Sequence, residues 1–167
     1  MQPTRQTLSQ PVAIAGISVR TTNAAEFNPA TGKIAGLWGR FFSEGMFDTL
    51  PNKRAESPIY GVYSGYESDY MGAFDVTAGV ATTQPRGQLA LQAGEYLVFS
   101  ATGPMPQTVL QTWGVVWQYF QTNPSVQRSY ATDFEAYLGL DKVEIHIGVQ
   151  AMTHGDKQDL ARAAGGL

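Results

Sequence analysis

Two glutamates stand nine residues apart near the end of this 167-residue chain, Glu135 and Glu144, inside the runs Asp133-Phe-Glu-Ala-Tyr137 and Val143-Glu-Ile-His-Ile-Gly-Val149. Apolar and polar residues alternate in both, the pattern of strands whose successive side chains point to opposite faces. Leu138-Gly139-Leu140-Asp141 supplies the turn between them. The alternation predicts that Phe134 and Ala136 face the helices and pair with Ile145 and Val143. In that register Glu135 lies opposite Glu144, and Asp133 opposite His146, with Tyr137 alongside. Two carboxylates directly across a strand pair repel, so solvent, an internal cation or a positively charged ligand must offset them. The same acids also fit the exposed positions of an ordinary half-buried hairpin.

The elements that must position these residues read as a duplication. Trp38-Gly39 and Trp113-Gly114 lie 75 residues apart, each in a one-faced helical pattern: Ile34, Leu37, Trp38, Phe41, Phe42 and Val109, Trp113, Val116, Trp117, Phe120. After each helix come an aromatic-acid pair, Tyr66-Glu67 and Phe134-Glu135, and a second acid among apolar residues, Phe74-Asp75-Val76 and Val143-Glu144-Ile145. The predicted order is strand, helix, strand, strand, twice. Strands are expected at 12–19, 59–66, 71–82, 89–99 with a bulge at Gly94, 130–137 and 142–150. Asn28-Pro29 reads as the first helix start, and Gly36 and Gly39 as points of close packing on the sheet. The second helix lies between Pro106 and Asn123. Residues 84–87 punctuate the midpoint, 1–11 form an N-terminal extension and 151–167 a mobile tail. The tryptophans fit a core role at this spacing as well as a binding role, and the tyrosines could populate strands by propensity alone.

A formal net charge of -3 with 11 Lys plus Arg gives no basic footprint, so this chain alone is not expected to bind nucleic acid. The absence of cysteine removes thiolate metal sites. His146 and His154 are not spaced as a ligand pair, and the glycine-rich segments lack a P-loop lysine. No metal and no cofactor is expected. The polar start and the lack of a long apolar stretch predict a cytoplasmic protein with no membrane contact.

Taken in order, Ile59-Tyr-Gly-Val-Tyr-Ser-Gly-Tyr-Glu-Ser-Asp69, Pro106-x6-Trp113-x3-Trp117 and the last two strands resemble the gyrase-inhibitor-like effector-binding domain. That domain is attached to DNA-binding segments in multidrug-responsive bacterial transcription activators and also exists alone; this chain resembles the stand-alone form. The resemblance covers residues 12–150, with repeats at about 12–83 and 86–150. It implies an α+β fold of duplicated β-α-β-β units with pseudo-twofold symmetry, an antiparallel sheet with helices on one face, and a ligand pocket at the junction. Members bind bulky lipophilic cations through stacked aromatics and a buried glutamate. That carries the ligand-binding role onto Glu135 and Glu144, with Trp113, Trp117, Tyr137, Tyr66, His146 and Phe74 as pocket candidates. The family often has proline where this chain has Gly148 and tyrosine where it has His146.

Three functions follow. The first is a module that senses or sequesters an amphipathic, cationic, lipophilic compound, linked to transcription regulation or drug resistance. The second is a hydrolase on the same fold using a pocket glutamate as general base, although no nucleophile or oxyanion donor is evident. The third is a protein-interaction module of gyrase-inhibitor type, and a protein partner or homodimer stays open.

Overall fold

The computed structural model describes residues 1–84 and 89–151, with 155, 157, 158, 161 and 162. The expected mobile tail therefore falls largely outside the described residues, as do the turn at 85–87 and His154. The elements are β1 (Thr4–Leu8), β2 (Val12–Thr21), α1 (Asn23–Glu26), α2 (Ile34–Ser43), α3 (Met46–Thr49), β3 (Ile59–Ser64), β4 (Phe74–Ala81), β5 (Ala90–Leu91), β6 (Gly94–Thr102), α4 (Gln107–Thr122), β7 (Arg128–Tyr137) and β8 (Lys142–Val149).

All eight strands join one sheet in the order β1-β6-β8-β7-β3-β4-β2-β5. Outward from the antiparallel β3·β7 pair, one side reads β3-β4-β2 and the other β7-β8-β6. The helix α2 lies between β2 and β3 in sequence, α4 between β6 and β7, so the two halves are the expected β-α-β-β units about a pseudo-twofold at β3·β7.

Both helices cover the same face. Leu37 and Phe41 of α2 pack on Phe74, Val76 and Ala78 of β4. Val109 and Val116 of α4 pack on Leu97 and Phe99 of β6 and on Val143, Ile145 and Ile147 of β8. The opposite face carries a second core of Ile14, Val62, Tyr96, Phe134 and Ala136, closed by Leu91. Leu91 reaches it because β5 pairs with the far edge of β2, while Gln92 donates its backbone N–H to Thr132 Oγ1 at 3.0 Å and accepts from the Tyr96 hydroxyl at 2.6 Å. The sheet is thus curled into a half-barrel.

That second core overturns the predicted register of the last hairpin. Phe134 pairs with His146, Glu135 with Ile145 and Ala136 with Glu144, one residue away from the expected pairing. A one-residue slip exchanges the faces of every side chain. Glu135 and Glu144 are therefore not opposed, and Phe134 and Ala136 face away from the helices. The pattern misled because both faces are covered here: Phe134, Ala136 and Glu135 are 6%, 5% and 3% exposed. Apolar alternation marks the core side only where the other side is wet.

Other expectations change for local reasons. The polar start forms β1, which pairs with β6. Asn28-Pro29 does not start a helix, since Asn28 Oδ1 accepts from Ala30 N in a local turn. The helix α2 begins instead at Ile34, where the Glu26 carboxylate accepts the N–H groups of Lys33 at 2.8 Å and Ile34 at 3.4 Å and satisfies donors a helix start leaves open. Gly94 is no bulge: it opens β6 after the chain has left β5, at one edge, for the other side of the sheet, where β6 lies between β1 and β8. Tyr66-Glu67, expected at the end of a strand over 59–66, lies beyond β3, which ends at Ser64.

Gly36 and Gly39 do not pack closely on the sheet either. A Cβ at Gly36, Gly39 or Gly114 would meet nothing within 4 Å, and all three are exposed. Glycine inside a helix costs about 0.5–1 kcal/mol against alanine. Gly114→Ala is therefore expected to stabilise the fold by roughly that amount, read as a higher urea midpoint at unchanged slope.

Candidate functional site

Glu135 sits on the helix face at the centre of the sheet, on β7 beside β3, with Gly61 as its strand partner. A Cβ on Gly61 would lie 2.6 Å from Glu135 Oε1 and 3.0 Å from Trp38 Cζ2. Only glycine leaves room for the carboxylate to lie there with a tryptophan above it. One helix from each half delivers an indole: α4 places Trp113 Nε1 2.7 Å from Glu135 Oε2, and α2 places Trp38 against the Tyr137 ring at 5.6 Å. The strands add two phenols. Tyr63 donates to Oε2 and Tyr137 to Oε1, both at 2.9 Å, and the Tyr63 ring meets Trp113 edge-on at 5.1 Å.

The charge balance is the telling feature. All three donors are neutral, and among the described residues no lysine, arginine or histidine forms an ion pair with Glu135. Burial pushes its carboxyl above the usual carboxylate range, and the hydrogen bonds from Trp113, Tyr137 and Tyr63 pull it partway back. The same enclosure holds the Tyr63 hydroxyl well above its ordinary value, by burial first and by the adjacent carboxylate second. Ionised Glu135 is thus hydrogen-bonded but not neutralised. Its compensation must be a proton or an external cation, and the ring faces around it attract cations through their quadrupoles.

Asp133, two residues earlier on the same face, is committed differently. It is fully buried, pairs with Arg128 Nη2 at 2.6 Å, and accepts from Tyr66 Oη at 2.5 Å and Gly148 N at 2.8 Å. Proline at 148 could not donate that bond. A Cβ there would also lie 2.6 Å from Ser129 Oγ, which accounts for glycine at this position.

Of the residues singled out in the sequence, Glu135, Trp113 and Tyr137 converge. Tyr66 and Phe74 stand one layer out: the Phe74 ring lies 5.9 Å from Tyr63 and 5.8 Å from Tyr66, while the Tyr66 hydroxyl serves Asp133. Trp117, one turn beyond Trp113, meets Tyr70 at 5.6 Å. Glu144 and His146 lie on the other face, where His146 stacks on Phe134 at 4.3 Å. Burial pushes the His146 imidazole down to about 4, so its 3.5 Å approach to Glu144 is not an ion pair near neutral pH. Sequence reasoning missed Tyr63 and Gly61 and left Trp38 to the core. The available signal was a glycine inside an aromatic strand, which marks close approach of another group.

Among the described residues no cluster of three or more His, Cys, Asp or Glu could hold a metal, and no helix is long and apolar enough to cross a membrane.

A duplicated β-α-β-β half-barrel with a buried acid among aromatics at its junction defines an effector-binding domain of the gyrase-inhibitor-like class. The chain belongs to the Cass2 family of integron-associated effector binding proteins, whose model matches residues 9–149. An integron cassette protein from the mobile metagenome of Vibrio cholerae is 40% identical over 89% of this chain and 96% of its own, with a TM-score of 0.77. SAV2435, solved bound to tetraphenylphosphonium, has the same fold at 24% identity, covering 93% of this chain and 99% of its own, with a TM-score of 0.75. A putative bacterial transcription regulation protein from Staphylococcus aureus MU50 shares it at 23% identity, 90% and 99% coverage and a TM-score of 0.73. No curated protein matches the chain.

Proposed function

We propose that this protein binds an amphipathic, lipophilic cation at Glu135, with Trp113, Tyr137, Tyr63 and Trp38 as the aromatic enclosure. The observation that carries the reading is a carboxylate buried at the join of the two halves whose partners, among the described residues, are neutral donors on aromatic rings. A ligand with a delocalised positive charge and apolar arms replaces the proton and keeps its arms against the rings. Binding of tetraphenylphosphonium by a protein of the same fold supports that ligand class. Because Glu135 is 3% exposed, part of the ring cover must swing aside on binding. That movement is the signal a sensing protein would pass on, and a link to transcription regulation or drug resistance belongs to the same proposal.

A hydrolase using Glu135 as general base would need a free carboxylate oxygen to take a proton from water, and both oxygens are occupied by Trp113, Tyr63 and Tyr137. The hydroxyls bonded to Glu135 are those of Tyr63 and Tyr137, and burial holds both phenols protonated, so the binding reading is the better supported.

The test is a pair of probes of the same shape and opposite charge. Isothermal titration with tetraphenylphosphonium is expected to give a saturable site, and tetraphenylborate none. Equal affinity for the two, or preference for the anion, would remove Glu135 as the determinant of charge.

A further inference from the structure

The C-terminal half of α4 leaves a hollow of about 300 Å3 against the start of β7. Its walls include the rings of Tyr70, Trp117, Phe120 and Tyr130, together with Val126 and Arg128. Tyr70, 46% exposed, stands at the mouth and meets Trp117 edge-on at 90°.

The backbone is shaped to make this hollow. The pairing of β7 with β8 is interrupted between Arg128 and Asp133, and within that irregularity Tyr130 takes a φ of 51°, a left-handed conformation that an aromatic residue rarely adopts. Such bulges re-aim side chains, and strained backbone of this kind concentrates at binding sites. Here the irregularity brings Arg128 and Tyr130 together, with the guanidinium carbon 4.6 Å from the Tyr130 ring centre and 5.9 Å from that of Phe120.

The electrostatics differ from those at Glu135. The Arg128 charge is cancelled inside the wall by Asp133 at 2.6 Å, so the hollow presents ring faces and a neutralised guanidinium plane. Behind Tyr130 stands Tyr66, whose ring packs on it at 5.4 Å and whose hydroxyl is tied to Asp133; Glu135 does not line the hollow. Size narrows the guest further: an apolar cavity of about 150 Å3 holds benzene, and this one has room for two fused rings.

We propose that this hollow is a second binding compartment, specific for a neutral, flat, fused-ring aromatic and independent of Glu135. The guest stacks between Trp117 and Tyr130, with Phe120 and the guanidinium plane behind it.

The probe is 6-fluoro-2-naphthol, neutral at pH 7, followed by fluorine NMR titration of the full chain. Wild type and Glu135→Gln are expected to bind it equally. Phe120→Ala removes a wall and Val126→Trp fills the space; whichever of the two keeps a cooperative melting curve is expected to lose at least about tenfold in affinity. No binding to the wild type, unchanged affinity in the folded hollow variant, or loss of binding in Glu135→Gln would each overturn the proposal. The last result would place the naphthol at Glu135. Tetraphenylphosphonium titrated in parallel reports on the Glu135 site alone, so failure of one compartment is distinguishable from failure of the other.

Discussion

Glu135→Gln is expected to bind tetraphenylphosphonium more weakly than wild type by about 1.5–3 kcal/mol, the scale of a hydrogen bond or contact to a charged group, and to be the more stable protein at alkaline pH. The amide fits the existing partners. Its oxygen accepts from Trp113 and Tyr63 as Oε2 does now, and its NH2 donates to Tyr137, whose hydroxyl can turn to accept. The second amide N–H and the O–H of the turned Tyr137 are left without a partner, a cost set against the removal of the buried charge.

The pH dependence has a definite sign. Burial raises the Glu135 carboxyl in the folded protein, so between the ordinary carboxylate value of about 4.3 and the raised one the folded state holds a proton that the unfolded chain has lost. Wild-type stability therefore falls relative to Glu135→Gln as pH rises through that window, and the two converge below it. Cation binding runs the other way: it needs the ionised acid, so wild-type affinity drops as pH falls through the raised value, with a proton released on binding. The Gln variant should give a flat profile. Titrations from the ordinary carboxylate value of about 4.3 up through the pH at which Glu135 of the folded protein ionises, in buffers of different ionisation enthalpy, check both; a flat wild-type profile with no proton release over that range would show that Glu135 does not hold the cation.

The largest stability effect is expected at Asp133. Asp133→Ala strands the Arg128 guanidinium, only 11% exposed, along with the Gly148 N–H and the Tyr66 hydroxyl. Breaking a buried pair by removing one partner costs about 3–5 kcal/mol, against a total stability of roughly 5–15 kcal/mol for a protein. At this chain length that corresponds to a fall in melting temperature of roughly 6–20 °C. Glu144→Ala, on a partly exposed position of the other face, is expected to change stability by less than about 1 kcal/mol. Calorimetry of the two variants compares them directly, and similar losses would mean that the Asp133 network does not anchor β7.

The amino-acid sequence alone determined the unit and its repetition. Trp38-Gly39 and Trp113-Gly114 each sit in an amphipathic helix, and period-two runs follow, because helix and strand periodicities are local properties of the chain. The aromatic-and-acid composition of the site was equally legible, since Glu135, Trp113 and Tyr137 lie in patterned segments. Which acid does which work was decided only by tertiary structure. The pairing of β7 with β8 depends on what covers each face, and the cover on the second face comes from Leu91 and Ile14, far away in sequence. One residue of register then moves Glu144 to the other face, away from Glu135. Tyr63 and Gly61 joined the site for the same reason: the β3·β7 pairing brings together residues more than 70 positions apart, and no periodicity within either strand encodes that contact.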